Sequence, residues 1–424
     1  MSGNDKRSLV PRLRFPEFRE AWASSPMSEV YSFKGNNSLS RDKLNYNGGS
    51  FRNIHYGDIH TKFALHFRVD AEPVPYINDG ESHSAIRPGN YCMAGDMVFA
   101  DASEDMADIG KAIEIIDAGD IPLVSGLHTI LAKPNGASFV LGFGAYLFSS
   151  ESVRGQIQRE AQGAKVLGLS ASRLGIVQLH YPSNVDEQQK IADCLSSLDD
   201  LIMAETQKVD TIKAHKKGLM QQLFPREGET VPRLRFPEFQ EAGEWETKTL
   251  AELAENLDNR RVPVTEKDRT KGNIPYYGAS GIVDYIHDFI FDADLLCISE
   301  DGANLVARTT PIAFSISGKT WVNNHAHVLK FERRCIQKIV EDYLNSISLE
   351  DYLTGMAQPK LNRAMLDTIP VPIPRDEDEQ QEVADCLSCL DDQITAQSKK
   401  IDALKTHKKG LMQQLFPVLD AVQA

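Results

Sequence analysis

The chain has 424 residues, 42% of them hydrophobic, with 60 acidic against 46 basic side chains and a formal net charge of -14. That length predicts about two to three domains with real cores, and no apolar run approaches the roughly 18 residues needed to cross a membrane. The acid excess argues against a protein that coats nucleic acid by charge alone, so any such contact must use local patches or basic partners. Six scattered cysteines and a polar start at Met1 to Val10, without the apolar stretch of a secretory signal, predict a cytoplasmic protein. Cys386 and Cys389 form a Cys-x-x-Cys, but Cys389 has Ser197 as its counterpart in an internal repeat and no second ligand pair lies near. No metal site is therefore expected.

In chain order, a lead-in segment (1–22) carries Val10-Pro-Arg-Leu-Arg-Phe-Pro-Glu-Phe18, and the same nine residues return at Val231 to Phe239. Trp22 and Trp245 follow at similar distances. A first globular domain (23–183) is rich in short strand-like runs, Ser50–Ile54, Asp96–Ala100, Ala112–Ile116 and His128–Ala132, punctuated by Gly, Pro and Asn. Polar and aromatic residues crowd one stretch of it: Arg52, Asn53, His55, Tyr56, Asp58, His60, Lys62, His66 and Arg68. These histidines lack a helical i, i+4 pair with Glu, so the stretch reads as an exposed polar loop or as groove contact to a nucleic acid.

Residues 184–225 predict one long helix. Its apolar positions Ile191, Leu195, Leu198, Ile202, Val209, Ile212, Leu219 and Leu223 step by three and four, with breaks at Glu205 and Lys216. The same helix recurs 192 positions on, in residues 376–417, with 27 of 39 positions identical between Glu187–Pro225 and Glu379–Pro417. The second seam is Val383, Leu387, Leu390, Ile394, Ile401, Leu404, Leu411 and Leu415, and its breaks at Gln397 and Lys408 match the first. A heptad period predicts a left-handed coiled-coil pair. Asn184 with Glu187, and Asp376 with Glu379, have capping-box spacing, while Pro225 and Pro417 end the helices. The repeated unit is thus lead-in peptide, globular domain and long helix.

A linker with the second lead-in segment (226–245) precedes a second globular domain (246–375), and a short tail (418–424) closes the chain. The second domain opens with Arg260, Arg261, Lys267, Arg269 and Lys271, a solvated loop or a set of phosphate contacts. Asn273-Ile-Pro-Tyr-Tyr-Gly-Ala-Ser-Gly-Ile282 follows, with Tyr276 and Tyr277 beside small residues that let a backbone approach a ligand. Ile298-Ser-Glu-Asp-Gly-Ala-Asn304 and Trp321-Val-Asn-Asn-His-Ala-His327 place amides and imidazoles at strand ends, and such amides pair with adenine in the major groove. Arg260, Arg261, Lys271 and Lys360 are expected toward phosphates, and Tyr276, Tyr277, Asn323 and Asn324 nearer bases.

Tyr-Tyr-Gly-Ala-Ser-Gly, Ser-Glu-Asp-Gly-Ala-Asn, Trp-Val-Asn-Asn-His-Ala-His and Gln358-Pro-Lys-Leu-Asn362, followed by a Glu-Gln-Gln helix, resemble a type I restriction-modification specificity subunit over nearly the whole chain. Ser125-Gly-Leu-His128 resembles the same family, and Lys165-Val-Leu-Gly-Leu-Ser170 is a looser counterpart of Gln358 to Asn362. The resemblance implies an α+β chain in which two globular α/β target-recognition domains are separated by a pair of long antiparallel coiled-coil helices, with an internal pseudo-twofold repeat. It adds Ser280, His325, Asn362 and Lys165 to the DNA-binding candidates Arg52, His55, Tyr56 and Lys62. It implies partners as well: double-stranded DNA, two modification subunits that bring S-adenosylmethionine, and restriction/translocase subunits that bring ATP and Mg. This chain itself is expected to bind no cofactor and to hold no catalytic residue.

What the sequence lacks agrees with that division. There is no Gly-x-x-x-x-Gly-Lys-Ser/Thr loop, Gly142-Phe-Gly144 is a lone glycine pair, and no Asn-Pro-Pro-Tyr or -Phe run of an amino-methyltransferase occurs. Two other readings remain open at this stage: a DNA-processing enzyme with its own methylase or nuclease site in this chain, and a coiled-coil scaffold without a DNA role. If the helices pair, chain order makes them antiparallel and brings the chain termini together near the first domain.

Overall fold

The computed structural model describes residues 10–81, 86–136, 139–355 and 358–417; the expected tail (418–424) and the start of the lead-in segment lie outside them. The chain divides into two compact units, one of Met1–Ala204 with Ile401–Ala424, the other of Glu205–Lys400. Each unit therefore holds one globular domain, the first half of that domain's own helix and the last part of the other helix. No described helix is long and apolar enough to cross a membrane.

In the first unit a five-stranded sheet runs in the order Tyr31–Lys34, Thr129–Pro134, Met97–Ala100, Ala112–Asp117, His66–Arg68, antiparallel except at its last junction. Met97–Ala100 is buried along its whole length, as a strand covered on both faces must be. In the second unit Glu255–Asn256, Ala326–Lys330, Leu295–Ser299 and Ala313–Ile316 form the matching antiparallel order, with Leu295–Ser299 equally buried. Both units add a small sheet with a parallel pair, Arg52–Ile54 with Leu123–Ser125 and Tyr276–Tyr277 with Trp321–Val322. Both also close with an antiparallel clasp, Ala23–Pro26 on Gln178–Tyr181 and Glu246–Thr249 on Pro370–Ile373. The two globular domains thus share a topology that their divergent sequences do not display.

The long helices are Val185–Leu223 and Glu377–Leu415, 39 residues each. Asn184 and Asp376 cap them: Asn184 Oδ1 accepts from the Asp186 N–H at 2.8 Å, and Asp376 Oδ1 from Asp378 at 2.9 Å and Glu379 at 3.1 Å. The predicted capping box is not closed, because Glu187 and Glu379 turn away to the lead-in peptides. Arg14 grips Glu187 with Nε and Nη2 at 2.7 and 2.8 Å, and Trp22 Nε1 donates to it at 3.2 Å. Arg235 grips Glu379 at 2.7 and 2.7 Å, with Trp245 Nε1 at 3.1 Å. A bidentate guanidinium outcompetes a backbone N–H for a buried carboxylate.

The expected seam is real but shared. Ile191 and Leu195 are buried within the first domain's core beside Leu415 and Phe416, and Val383 and Leu387 lie in the second domain's core beside Met220 and Leu223. Leu198, Ile202, Leu390 and Ile394 are half-buried. Within each unit the helix segments run antiparallel. In the first unit Lys408 pairs with Asp199 at 2.5 Å; in the second Lys216 pairs with Asp391 at 2.6 Å. The heptad breaks are therefore ion-pair sites, and Glu205 likewise receives Gln397 and Lys400. Polar groups at seam positions specify register at some cost in stability. The first lead-in peptide also bonds the C-terminal turn of the second helix, Leu13 N–H to Gln414 O at 2.9 Å, as Leu234 does to Gln222 at 2.9 Å.

One buried carboxylate orients a helix on the first sheet. Glu114 is 2% exposed, and its two oxygens accept from Gly142 N–H at 2.8 Å and Ala145 N–H at 2.7 Å. Burial raises its pKa to about 7 despite those bonds. A raised carboxyl stabilises the fold fully below its unfolded pKa near 4.5 and loses that contribution as pH rises through 7. The loss amounts to about 3 kcal/mol. Glu114→Gln is expected to be less stable than the parent at pH 5 and to close the gap by pH 8, as read from urea unfolding midpoints at both pH values.

Candidate nucleic-acid interface

Strand ends of the second domain converge on one face. The Gly278–Gly281 turn, the end of Leu295–Ser299, the segment Asn323–His325 and the segment Gln358–Asn362 are joined by backbone bonds. Glu300 N–H donates to His325 O at 2.9 Å, Leu361 N–H to Glu300 O at 2.8 Å, Gly302 N–H to Pro359 O at 3.2 Å, and Asn323 N–H to Tyr277 O at 3.0 Å. The basic loop is tied to the same place by Trp321 Nε1, which donates to Val262 O at 2.7 Å.

Of the expected residues, Ser280, Asn324, His325, Lys360, Arg260 and Lys271 are exposed. His325 Nδ1 meets Asp301 at 2.8 Å, Arg260 lies over the Phe291 ring at 5.2 Å, and Lys360 reaches Glu300 at 3.1 Å. Others serve inside. Tyr276 is 1% exposed with its hydroxyl on Val264 and the Arg269 guanidinium 4.5 Å over its ring, so the ring is a core group and not a surface for bases. Tyr277 is half-buried and stacks on Phe314. Asn323 is buried and accepts from His325 N–H at 2.8 Å, shaping the loop that presents Asn324. Asn362 caps the helix Arg363–Asp367 through Met365 N–H at 3.1 Å. Arg261 does not reach toward solvent phosphates. It is held between Glu300 at 2.6 Å, Asp258 at 3.4 Å and the Ala326 carbonyl at 2.8 Å.

In the first domain Tyr56 packs between His55 and His128, with ring centroids 4.7 and 5.2 Å away. His55 is buried, and its Nδ1 accepts from Gly57 N–H at 3.1 Å to cap the helix Tyr56–Thr61, so it shapes the loop from inside. Burial and then the Arg41 charge hold its pKa below the ordinary value. Asp58 is buried; desolvation pulls its pKa up, but hydrogen bonds from Arg41 at 2.7 Å and Lys62 outweigh it and keep the carboxyl below the usual range. Lys62 is exposed, 3.0 Å from Asp58. Arg52 is mostly spoken for by Val69 O at 3.0 Å and Asp70 at 2.9 Å. Lys165 is exposed. His128 contacts Asp101 at 3.2 Å, the counterpart of His325 on Asp301. Arg41 and Asp101 escaped the sequence reading because they lie outside the crowded stretch.

Among the described residues one cluster has the composition of a metal site: Asp258, Glu300 and His327, whose ligand atoms lie within 4.8 Å of one another. Its chemistry is that of an ion-pair network. Arg261 and Lys360 occupy Glu300, and Val328 N–H donates to Asp258 Oδ1 at 2.9 Å. The cationic role is already filled by side chains.

Residues 242–406 match the family described as the type I restriction modification DNA specificity domain. The chain is 37% identical over 134 residues to a type I restriction enzyme specificity subunit of Haemophilus influenzae, a match spanning 32% of this chain and 34% of that protein. It is 22% identical over 374 residues to the MjaX specificity subunit of Methanocaldococcus jannaschii, covering 82% and 83% of the two chains. In fold it is similar to the type I system S subunit from M. genitalium, with TM-score 0.60, 14% identity, and 97% and 100% of the two chains covered. It is also similar to a chain solved in work on complex assembly and conformational transition of the type I system, with TM-score 0.53, 13% identity, and 93% and 97% covered.

Proposed function

From the premise that this chain belongs to the type I restriction-modification specificity subunits, we propose that it selects a bipartite, asymmetric DNA target. Each globular domain reads one half, and the long helices set the gap between them. The observation that carries this reading is the duplicated topology with unlike faces: both domains place an exposed imidazole on an aspartate where a strand begins, His128 on Asp101 and His325 on Asp301, but the residues around that pair differ. The chain does no chemistry of its own in this reading. Two modification subunits supply S-adenosylmethionine, restriction/translocase subunits supply ATP and Mg, and the assembly acts in the cytoplasm. Support for two like docking surfaces comes from exposed helix positions that are identical in both repeats, Lys213 with Lys405, His215 with His407, Lys217 with Lys409 and Gln221 with Gln413.

Within the second domain, Arg260, Lys271 and Lys360 are the candidate phosphate contacts, and Ser280, Asn324 and His325 the candidate base contacts. Lys271→Ala is expected to weaken all sequences alike and flatten the salt dependence. Asn324→Ala is expected to cost about 1–3 kcal/mol, on the cognate site above all. Tyr276→Phe should leave base preference unchanged. Equilibrium titrations of the assembled complex at several salt concentrations separate these outcomes.

The ruler is tested by inserting a full heptad at Glu205 and at Gln397. This keeps the seam in register and adds about 10 Å at 1.5 Å per residue. At about 3.4 Å per base pair the preferred spacer should grow by roughly three pairs, with both half-sites unchanged. Those pairs also rotate one half-site by about 100°, so activity is expected to fall while the spacing follows. Binding across spacers that differ one pair at a time reads the result, and an unchanged optimum in a folded protein removes the ruler.

A further inference from the structure

His327 is 1% exposed, and both its ring nitrogens face acceptors. Nδ1 lies 2.6 Å from Asp258 Oδ2, and Nε2 lies 2.7 Å from the Leu361 carbonyl. A carbonyl has no hydrogen to give, and Asp258 accepts from Val328 N–H while Arg261 stands 3.4 Å away, as an ionised carboxylate does. A neutral imidazole has one N–H and one lone pair. It would set that lone pair against an oxygen at hydrogen-bond distance inside the core, an arrangement that costs more than carrying the second proton beside a carboxylate.

We propose that His327 is held as a doubly protonated imidazolium that clasps the two loops of the second recognition face together, and so acts as a positioning residue for the DNA half-site this domain reads. One arm of the clasp is Asp258, at the root of the loop that carries Arg260 and Arg261. The other is Leu361, between Lys360 and Asn362. Glu300, 3.8 Å from Nδ1, joins them through Arg261 and Lys360. The charged groups around the ring are then His327, Arg261 and Lys360 against Asp258 and Glu300.

In the first domain the equivalent ties are made by neutral amides. Thr129 stands on its strand where Ala326 stands in the second domain, each just after the residue whose carbonyl accepts from Asp101 or Glu300. Asn36 Nδ2 donates to Thr129 O at 2.6 Å, where Arg261 donates to Ala326 O. Asn37 Nδ2 reaches Asn53 Oδ1 at 2.7 Å and Ser125 O at 3.0 Å. Removing the imidazolium therefore has no counterpart in the first domain, and its effect is confined to one half of the target.

This inference rests on the proposed DNA reading for its consequence but not for the protonation state, so two readouts are combined. In the full chain labelled with ring-15N histidine, His327 should show two ring N–H protons at neutral pH, assigned by their loss in His327→Gln and their shift in Asp258→Asn. A single protonated nitrogen overturns the clasp. In the assembled complex, binding is measured to a target and to every single-base variant of it. His327→Gln should reduce discrimination at least tenfold across the second domain's half-site and leave the first unchanged. Adding Asp258→Asn, which removes the orphaned carboxylate, should restore threefold or more. Equal loss on both half-sites, or no loss, overturns the positioning role. If His327→Gln does not assemble, Asp258→Asn alone must give the same half-confined loss. A parent complex with no two-part target refutes the DNA reading itself, and the positioning role with it, while the nitrogen spectrum still decides the clasp.

Discussion

Replacing Arg235 with alanine is expected to destabilise the second unit by about 3–5 kcal/mol, the usual cost of breaking a buried pair from one side. The side chains of Arg235 and Glu379 are 7% and 1% exposed, so solvent does little to screen them. The guanidinium also donates to Ala242 O at 2.6 Å and Gly243 O at 3.0 Å, which holds the lead-in peptide against the helix start. Its loss leaves Glu379 with only Trp245 Nε1 and the helix N-terminus for company. The double change Arg235→Met with Glu379→Met removes both charges and is expected to cost markedly less than either single loss of charge. Denaturant unfolding of the parent, Arg235→Met, Glu379→Met and the double variant completes a double-mutant cycle. A single change that costs under about 1 kcal/mol, the range of an exposed pair, refutes the assignment.

Lys216→Met and Lys408→Met change the same residue of the same repeat, yet they are expected to differ about threefold in cost. Lys216 is 13% exposed and bridges Asp342 at 2.7 Å and Asp391 at 2.6 Å, with Asp342 only 4% exposed. Lys338 completes the group by binding both carboxylates. Without Lys216, the two carboxylates share Lys338 alone and one negative charge beside the buried Asp342 goes uncompensated, at a cost of about 3 kcal/mol. Lys408 is 21% exposed, its partner Asp199 is 37% exposed, and Asp199 keeps the Tyr146 hydroxyl at 2.7 Å. That loss is expected near 1 kcal/mol. In Asp391 desolvation is outweighed by the two lysines, so its pKa sits below the ordinary value. The stability it contributes is present above the unfolded value of 3.8 and fades as pH falls through the depressed folded value. The difference between Lys216→Met and the parent should therefore shrink in acid, which urea midpoints at pH 3 and pH 7 would register.

The long helices were legible because identity across 39 positions and a heptad period are local signals that need no partner to be read. The common topology of the two globular domains was not, since it rests on short strands of two to eight residues whose pairing is set by distant neighbours. For the candidate interface, sequence pattern singled out segments that the fold brings together but could not sort exposed from buried within them. Tyr276 and Tyr277 are adjacent and chemically alike. The pleat sends Tyr276 into the core and leaves Tyr277 half-buried.

The amino-acid sequence by itself determined the duplicated plan, the family likeness, the helix ends and the polar breaks in the seam. Each of these is encoded within a few turns of chain. Tertiary structure decided what those polar groups do. Glu187 has the spacing of a helix-capping residue, but Arg14, 173 positions upstream, takes its carboxylate. Lys216 and Lys408 are identical in sequence, but only the first meets a carboxylate from the helix Arg334–Ser346. His327 reads as one more polar residue in a strand until Asp258 and Leu361 arrive on either side of its ring. A charge has no fixed worth along a sequence. Its partners and the solvent left around it set that worth, and both are products of the fold.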